Sequence, residues 1–431
     1  MPSIHTGYSD PEGSSDGQFS PAGGIGRPSD ASSVGIVQKQ YAHFDLPLHL
    51  KSGGVLDGFT LAYETYGALN ADANNAILIC HALSGDSHVA GYYTADPHER
   101  PGWWDEAVGA GKMFDTERFF VICSNVIGGC QGSTGPSSHA PDGRPYALRF
   151  PLVTIADMVR AQHHLIAHLG IERLFAVAGG SMGGMQALQW AVAYPEQVEH
   201  VLFLAATPRS STQNIAFNEV GRQAIYADPH WNGGDYYGRT PPHAGLAVAR
   251  MVGHLTYMSE HSLEHKFGRG LQGHAAVPYR FDVPEFQVES YLHHQGEKFV
   301  QRFDANSYLY ITKALDYFDI ADGFGSLNLA VKGTKSTFLV VSFTSDWLYT
   351  SAQALDLVTA LEHEGKAVRF HRIHADFGHD SFLVEVDTMT HLVGGYLREM
   401  WNQRGGLPAV AFAAPSQHPR ETPLVLPWLS L

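Results

Sequence analysis

A serine set among glycines is the first feature that suggests chemistry. Gly179-Gly180-Ser181-Met182-Gly183-Gly184 fits G-x-S-x-G, the pattern of a nucleophile on a sharp strand-to-helix turn. The apolar run Leu174–Ala178 precedes it and a helix-like stretch, 185–193, follows. A serine hydroxyl is a weak nucleophile at neutral pH and needs a base, itself held by a third group. Two downstream positions meet that need in the order Ser, Asp, His. Asp346 follows the apolar run Thr337–Phe343, and His379 follows the next strand-like stretch, 368–373. The chain has 25 histidines, so placement rather than residue type selects His379 over His371 and His374. Asp356, on a helical pattern, and Asp376, not directly after a strand, are weaker rivals for the acid. An oxyanion also needs two backbone donors. The N–H of Met182 is one. Leu83, in His81-Ala82-Leu83-Ser84-Gly85-Asp86 after an early strand, is the other.

These groups need a scaffold that brings strand ends together. Residues 76–80, 119–123, 174–178, 201–205 and 337–343 are nearly continuous apolar runs, as in a parallel sheet buried on both faces. Helical patterns separate several of them. Thr154 and Asp157 form a capping box for a helix that ends at Gly170, and 353–363 is a second amphipathic helix. The expected class is α/β, specifically an α/β-hydrolase fold: a doubly wound, mostly parallel sheet with an inserted helical lid. The core is expected over 41–208 and 331–403. The lid occupies 209–330, with helices over 244–258 and 299–317. Residues 1–40 are rich in Gly, Ser and Pro and read as a disordered tail. Residues 404–431 form a Pro/Ala-rich extension of undefined role.

Composition narrows the function. With 43 acidic and 28 basic residues the formal charge is −15, which argues against nucleic acid as a partner. Three cysteines offer no disulfide framework. Neither a signal peptide nor an 18-residue apolar span is visible, so no membrane is expected and the location reads as cytoplasmic. His163-His164 and His293-His294 are adjacent on helical patterns and do not converge on an ion. No HExxH or Cys/His cluster appears, so no metal is expected.

Beyond the triad, the chain resembles the homoserine O-acetyltransferases, α/β-hydrolase-type acyltransferases of methionine biosynthesis. The resemblance rests on QYAHFD (40–45), TLAYETYG (60–67), HALSGD (81–86), CSNVIGGCQGSTGPSS (123–138) and GGSMGGMQAL (179–188). NEVGRQAI (218–225), GHLTYMSE (253–260), FDANSYLYITKALD (303–316), SFTSDWLY (342–349) and GHD (378–380) extend it to about 35–403. It implies ping-pong transfer of an acetyl group from acetyl-CoA to L-homoserine through Ser181, Asp346 and His379, with no cofactor beyond the co-substrate. It also implies that Arg222 and Asp380 hold the carboxylate and ammonium of homoserine, and that the enzyme is a homodimer joined by lid helices. From the residues alone, Arg222 reads as a surface or ion-pair arginine and Asp380 as a helix cap. Succinyl-CoA users of this family carry arginine two residues after the catalytic aspartate. Leu348 stands there, which favours acetyl-CoA. Homoserine O-succinyltransferase, serine O-acyltransferase and a plain serine esterase or thioesterase are the competing readings.

Overall fold

Five nearly continuous apolar runs form the middle of an eight-stranded sheet. The computed structural model describes residues 31–96 and 98–404. The strands are β1 (Gln40–Phe44), β2 (Phe59–Tyr66), β3 (Ala76–Cys80), β4 (Phe120–Ser124), β5 (Leu174–Gly180), β6 (Val198–Leu204), β7 (Thr337–Phe343) and β8 (Val368–Ile373). Their order is β1-β2-β4-β3-β5-β6-β7-β8. β1 and β2 run antiparallel to their neighbours, and all other pairs are parallel. This is the expected α/β-hydrolase arrangement.

The inner strands begin and end within a few residues of the sequence expectation. β1 and β2 were not read as strands. β1 lies at the sheet edge with Tyr41 half exposed, and β2 buries Glu64 among its apolar residues, so neither shows a plain apolar run.

Register sets the strand ends that matter. Cys80 pairs with Gly179, Gly180 with Leu204, Leu204 with Val341, and Phe343 with Ile373. The loops after β3, β5, β7 and β8 therefore open at one edge. One face of the sheet packs on α1 (Ile155–His168) and α2 (Met182–Ala193) through residues such as Met158, Leu165 and Trp190. The other face packs on Trp104, Phe114 and a late helix, 395–404, through Tyr396 and Leu397. The box at Thr154 forms as expected: Asp157 N–H donates to Thr154 Oγ1, and Thr154 N–H donates to Asp157 Oδ2. Gly170, at φ +73°, follows the helix end.

Between β6 and β7 the chain contributes helices and no strand of the sheet. They are α3 (Thr212–Ala227), α4 (His243–Tyr257), α5 (Glu260–Phe267), α6 (Gln287–Val300), α7 (Ala305–Asp316) and α8 (Leu327–Lys332). After β7 comes α9 (Ser351–His363), and α10 is the late helix Gly395–Arg404. The pattern over 299–317, expected as one helix, is broken. Asp304 has an extended backbone and caps α7, accepting from Ser307 N–H at 2.8 Å, while the Tyr236 and Tyr237 hydroxyls also donate to it.

The tail expected over 1–40 and the extension expected over 404–431 fall almost wholly outside the described residues. The tail's last ten residues are described, and part of them lies against the body: Val37 N–H donates to the Tyr92 carbonyl at 2.8 Å, and Val34 and Val37 pack on the core. No helix among the described residues is long and apolar enough to cross a membrane.

Candidate active site

Ser181 directly follows β5 and caps α2 with φ +60° and ψ −126°, a conformation that side chains rarely adopt. The glycines around it are required by contact. A Cβ on Gly179 would stand 2.3 Å from the Gly183 carbonyl carbon, and one on Gly183 would stand 2.0 Å from the Cys80 carbonyl oxygen. A Cβ on Gly180 would strike the Phe382 ring at 2.3 Å. The turn thus packs backbone on backbone, and α2 begins at Met182. First-turn N–H groups of a helix have no partner within it, so Met182 N–H is free to hold an anion.

The loop carrying Leu83 runs beside this turn. Gln186 Nε2, on α2, donates to the His81 carbonyl at 3.2 Å. His81 is itself fixed. Its Nε2 accepts from Val126 N–H at 3.1 Å, so Nδ1 carries the proton and donates to the Ala82 carbonyl at 2.8 Å. Burial pushes its pKa down, which keeps it in that neutral form. The loop expected to supply the second oxyanion donor is therefore braced.

His379 and Asp346 meet at the same edge. His379 Nδ1 lies 2.8 Å from Asp346 Oδ2, and both residues are buried. The other carboxylate oxygen, Oδ1, accepts N–H groups from Leu348 at 3.0 Å and Tyr349 at 2.9 Å. Rings of Tyr349, Phe382 and Tyr257 surround the imidazole, at 5.1, 5.8 and 6.2 Å between centroids. Phe382 also covers Gly180, so one ring bridges the base and the nucleophile's turn. Burial opposes charge on His379. The charge and hydrogen bond of Asp346, with a contribution from Asp380, outweigh it and raise the pKa above the usual histidine value. Gly378 lets the lid approach, since a Cβ there would stand 2.5 Å from Ser259 N.

The two residues expected to hold the amino acid have different surroundings. Asp380 precedes a short helical turn but makes no side-chain cap, so its carboxylate is not spent on the backbone. Burial raises its pKa, the charges of His379 and Arg250 oppose the rise, and Asp346 adds to it. Arg222 is buried, with Nη2 2.7 Å from Asp316 and 2.8 Å from Glu219, joining α3 to α7, while its Nη1 is buried with no hydrogen-bond partner. Arg250, on α4, is the cation that sequence reasoning missed. It lies over the Phe299 and Tyr257 rings at 4.8 and 5.5 Å, and its Nη1 is buried with no hydrogen-bond partner. The available signal was its position four residues after Leu246, on the inward face of a helix that is otherwise apolar there. Leu348 packs against the core, and its carbonyl accepts from Asn214 of α3 at 2.9 Å.

Known proteins match this architecture. The family model of the alpha/beta hydrolase fold covers residues 75–386. A homoserine O-acetyltransferase of Desulfotalea psychrophila is 55% identical over 375 residues, spanning 85% of this chain and 96% of that protein. The crystal structure of homoserine O-acetyltransferase from Bacillus anthracis superposes with TM-score 0.79 at 33% identity, covering 84% of this chain and 98% of that one. Esterase E22 superposes with TM-score 0.76 at 29% identity, over 84% of this chain and 100% of its own.

Proposed function

The chain belongs to the homoserine O-acetyltransferase family and is an acyltransferase on the α/β-hydrolase fold, and from that premise we propose that it moves an acetyl group from acetyl-CoA to L-homoserine by a two-step exchange. In the first step His379 Nε2 takes the proton of Ser181 as its Oγ bonds to the thioester carbon. Met182 and Leu83 N–H groups hold the oxyanion, the C–S bond breaks, and CoA leaves as the thiol with that proton. In the second step His379 deprotonates the homoserine hydroxyl, which attacks the acetyl-serine. The products are O-acetyl-L-homoserine and free Ser181. Asp346 keeps the proton on Nδ1 and stabilises the imidazolium. The cycle uses side chains and the co-substrate, and no cofactor or metal enters it.

The observation that carries the acceptor assignment is Arg250, whose Nη1 is a buried donor without a partner, together with Asp380, whose uncapped carboxylate lies beside His379. Their opposite charges suit a zwitterion, its carboxylate on the guanidinium and its ammonium on the carboxylate. Arg222, the arginine expected from the resemblance, also keeps a buried Nη1 without a partner, so both arginines are candidates for the acceptor's carboxylate. The uncharged Leu348 supports acetyl over succinyl. Exposed Ile215, Val220, Val248 and Leu255 on α3 and α4 support a homodimer through the lid. We place the enzyme in the cytoplasm, in methionine biosynthesis.

Hydrolysis is the second reading, favoured by the likeness to esterase E22. One assay separates them: thiol release from acetyl-CoA and from succinyl-CoA, each with L-homoserine, L-serine or no acceptor. Release that requires both acetyl-CoA and homoserine is expected. Equal release without acceptor would make the protein a hydrolase, and preference for succinyl-CoA or L-serine would move it within the family.

A further inference from the structure

In a chain with 43 acidic and 28 basic residues, cations should readily find carboxylates. Arg100, Arg239, Lys298 and Arg302 form no ion pair among the described residues. They gather where α6 turns into α7. Burial and the charge of Arg100 push the pKa of Lys298, near the end of α6, down. One turn further on, Arg302 Nη1 donates to the Ser84 carbonyl at 2.7 Å, on the loop that carries Leu83. Arg302 also lines a cleft of about 530 Å³ together with Arg239, His243, Cys130 and Gln131. Ser181 does not line that cleft, and Arg302 links the cleft to the loop that carries Leu83. The carboxylate in the cleft, Asp304, has its oxygens occupied by the Tyr236 and Tyr237 hydroxyls and Ser307 N–H, and it pairs with neither arginine.

We infer that this cleft receives the nucleotide end of a coenzyme A thioester, with Arg239 and Arg302 taking its phosphates and Lys298 and Arg100 extending the positive rim. The inference rests on the acetyl-CoA reading above and names the part of the protein that would recognise the donor. The chemistry follows from the side chains. Guanidinium groups match phosphate oxygens two at a time, and an unpaired cluster at a concave rim concentrates field lines and draws in a polyanion that the rest of the surface repels. Arg302 holds both the rim and the oxyanion loop, so a donor anchored by its phosphates would have its acyl arm led toward Ser181.

The test compares acetyl-CoA with S-acetylpantetheine, which carries the same thioester without the nucleotide. In Arg239→Glu the ratio of kcat/KM for acetyl-CoA to that for S-acetylpantetheine should fall about tenfold, and in Arg239→Ala by less. Lys298→Glu should lower the same ratio. Rising ionic strength should depress wild-type kcat/KM for acetyl-CoA more than for the truncated donor. Adenosine 3′,5′-bisphosphate should compete with acetyl-CoA in the wild type and lose that effect in Arg239→Glu. Arg239 is exposed, so these variants should fold. An unchanged ratio in Arg239→Glu, or a wild type that uses both donors equally well, overturns the site. Failure of the wild type with both thioesters overturns the donor reading, and this site with it.

Discussion

Replacing Asp346 by asparagine should disable the base by a route that the hydrogen bonds specify. Oδ1 accepts two backbone N–H groups, from Leu348 and Tyr349, while Oδ2 faces His379 Nδ1 at 2.8 Å. In Asp346→Asn the amide oxygen must keep the place of Oδ1, because an NH₂ there would oppose two donors. The NH₂ therefore faces His379, and Nδ1 must become an acceptor. The imidazole proton then moves to Nε2, where a lone pair is needed to take the proton of Ser181. Holding a triad histidine in the wrong tautomer costs about 10⁴ in kcat, or about 5 kcal/mol at 1.36 kcal/mol per decade. Thiol release with saturating acetyl-CoA and homoserine measures it, with circular dichroism to show that the variant folds. The loss should appear in formation of the acetyl-enzyme as well as in turnover, since both steps use Nε2. A variant that retains more than a tenth of wild-type kcat would refute the proposed arrangement of base and acid.

Other expectations follow from the same coordinates. His379 acts as a base only when neutral, and its pKa is raised above the usual histidine value of about 6.5. Activity should therefore rise with pH through a limb above about 6.5, read from kcat/KM for acetyl-CoA across pH; a limb at or below that value would contradict the Asp346 effect. Arg250→Ala removes a charge-assisted contact of about 1.5–3 kcal/mol, so kcat/KM for homoserine should fall about 10- to 150-fold while thermal stability changes little. Arg222→Ala leaves Asp316 buried without its cation, a loss of about 3–5 kcal/mol visible in denaturant melts. Homoserine kinetics then tell the two arginines apart, since kcat/KM for homoserine should fall in the variant whose Nη1 holds the carboxylate and stay near wild type in the other. Gly183→Ala sets a Cβ 2.0 Å from the Cys80 carbonyl oxygen, so it should abolish activity or soluble yield, and a fully active variant would contradict the packing at the turn.

The legible parts of this protein were those where local chemistry and local pattern agree. β3 and β7 announce themselves by nearly continuous apolar runs, and the turn at Ser181 by glycines that contact alone demands. Asp346 and His379 could be read because each lies in the loop after a late strand, β7 or β8, which ties sequence position to one edge of the sheet. β1 and β2 escaped, since one is half exposed and the other buries Glu64 under hydrogen bonds from Tyr66, Tyr93 and His88. The break between α6 and α7 escaped because apolar periodicity continues across it, and only Asp304, capping one helix and gripped by two tyrosines, shows where the chain turns.

The arginines show why binding groups are harder to read than catalytic ones. Arg222 sits in a stretch with a strong resemblance, yet its function depends on whether a carboxylate reaches it, and that carboxylate, Asp316, lies on a helix 94 positions later in the chain. Arg250 and Asp380 are 130 positions apart, and each looks ordinary alone, one as a helix arginine and the other as a cap. A nucleophile's turn is a local strain problem, solved by neighbours in sequence. A charge's availability is a global pairing problem, solved by whichever side chains the fold brings near. Arg222 spends Nε and Nη2 on carboxylates and so helps to hold α3 to α7. Where a buried donor is left over, as at Nη1 of both Arg222 and Arg250, the energy of an unmet hydrogen bond is retained for whatever ligand can supply the missing acceptor.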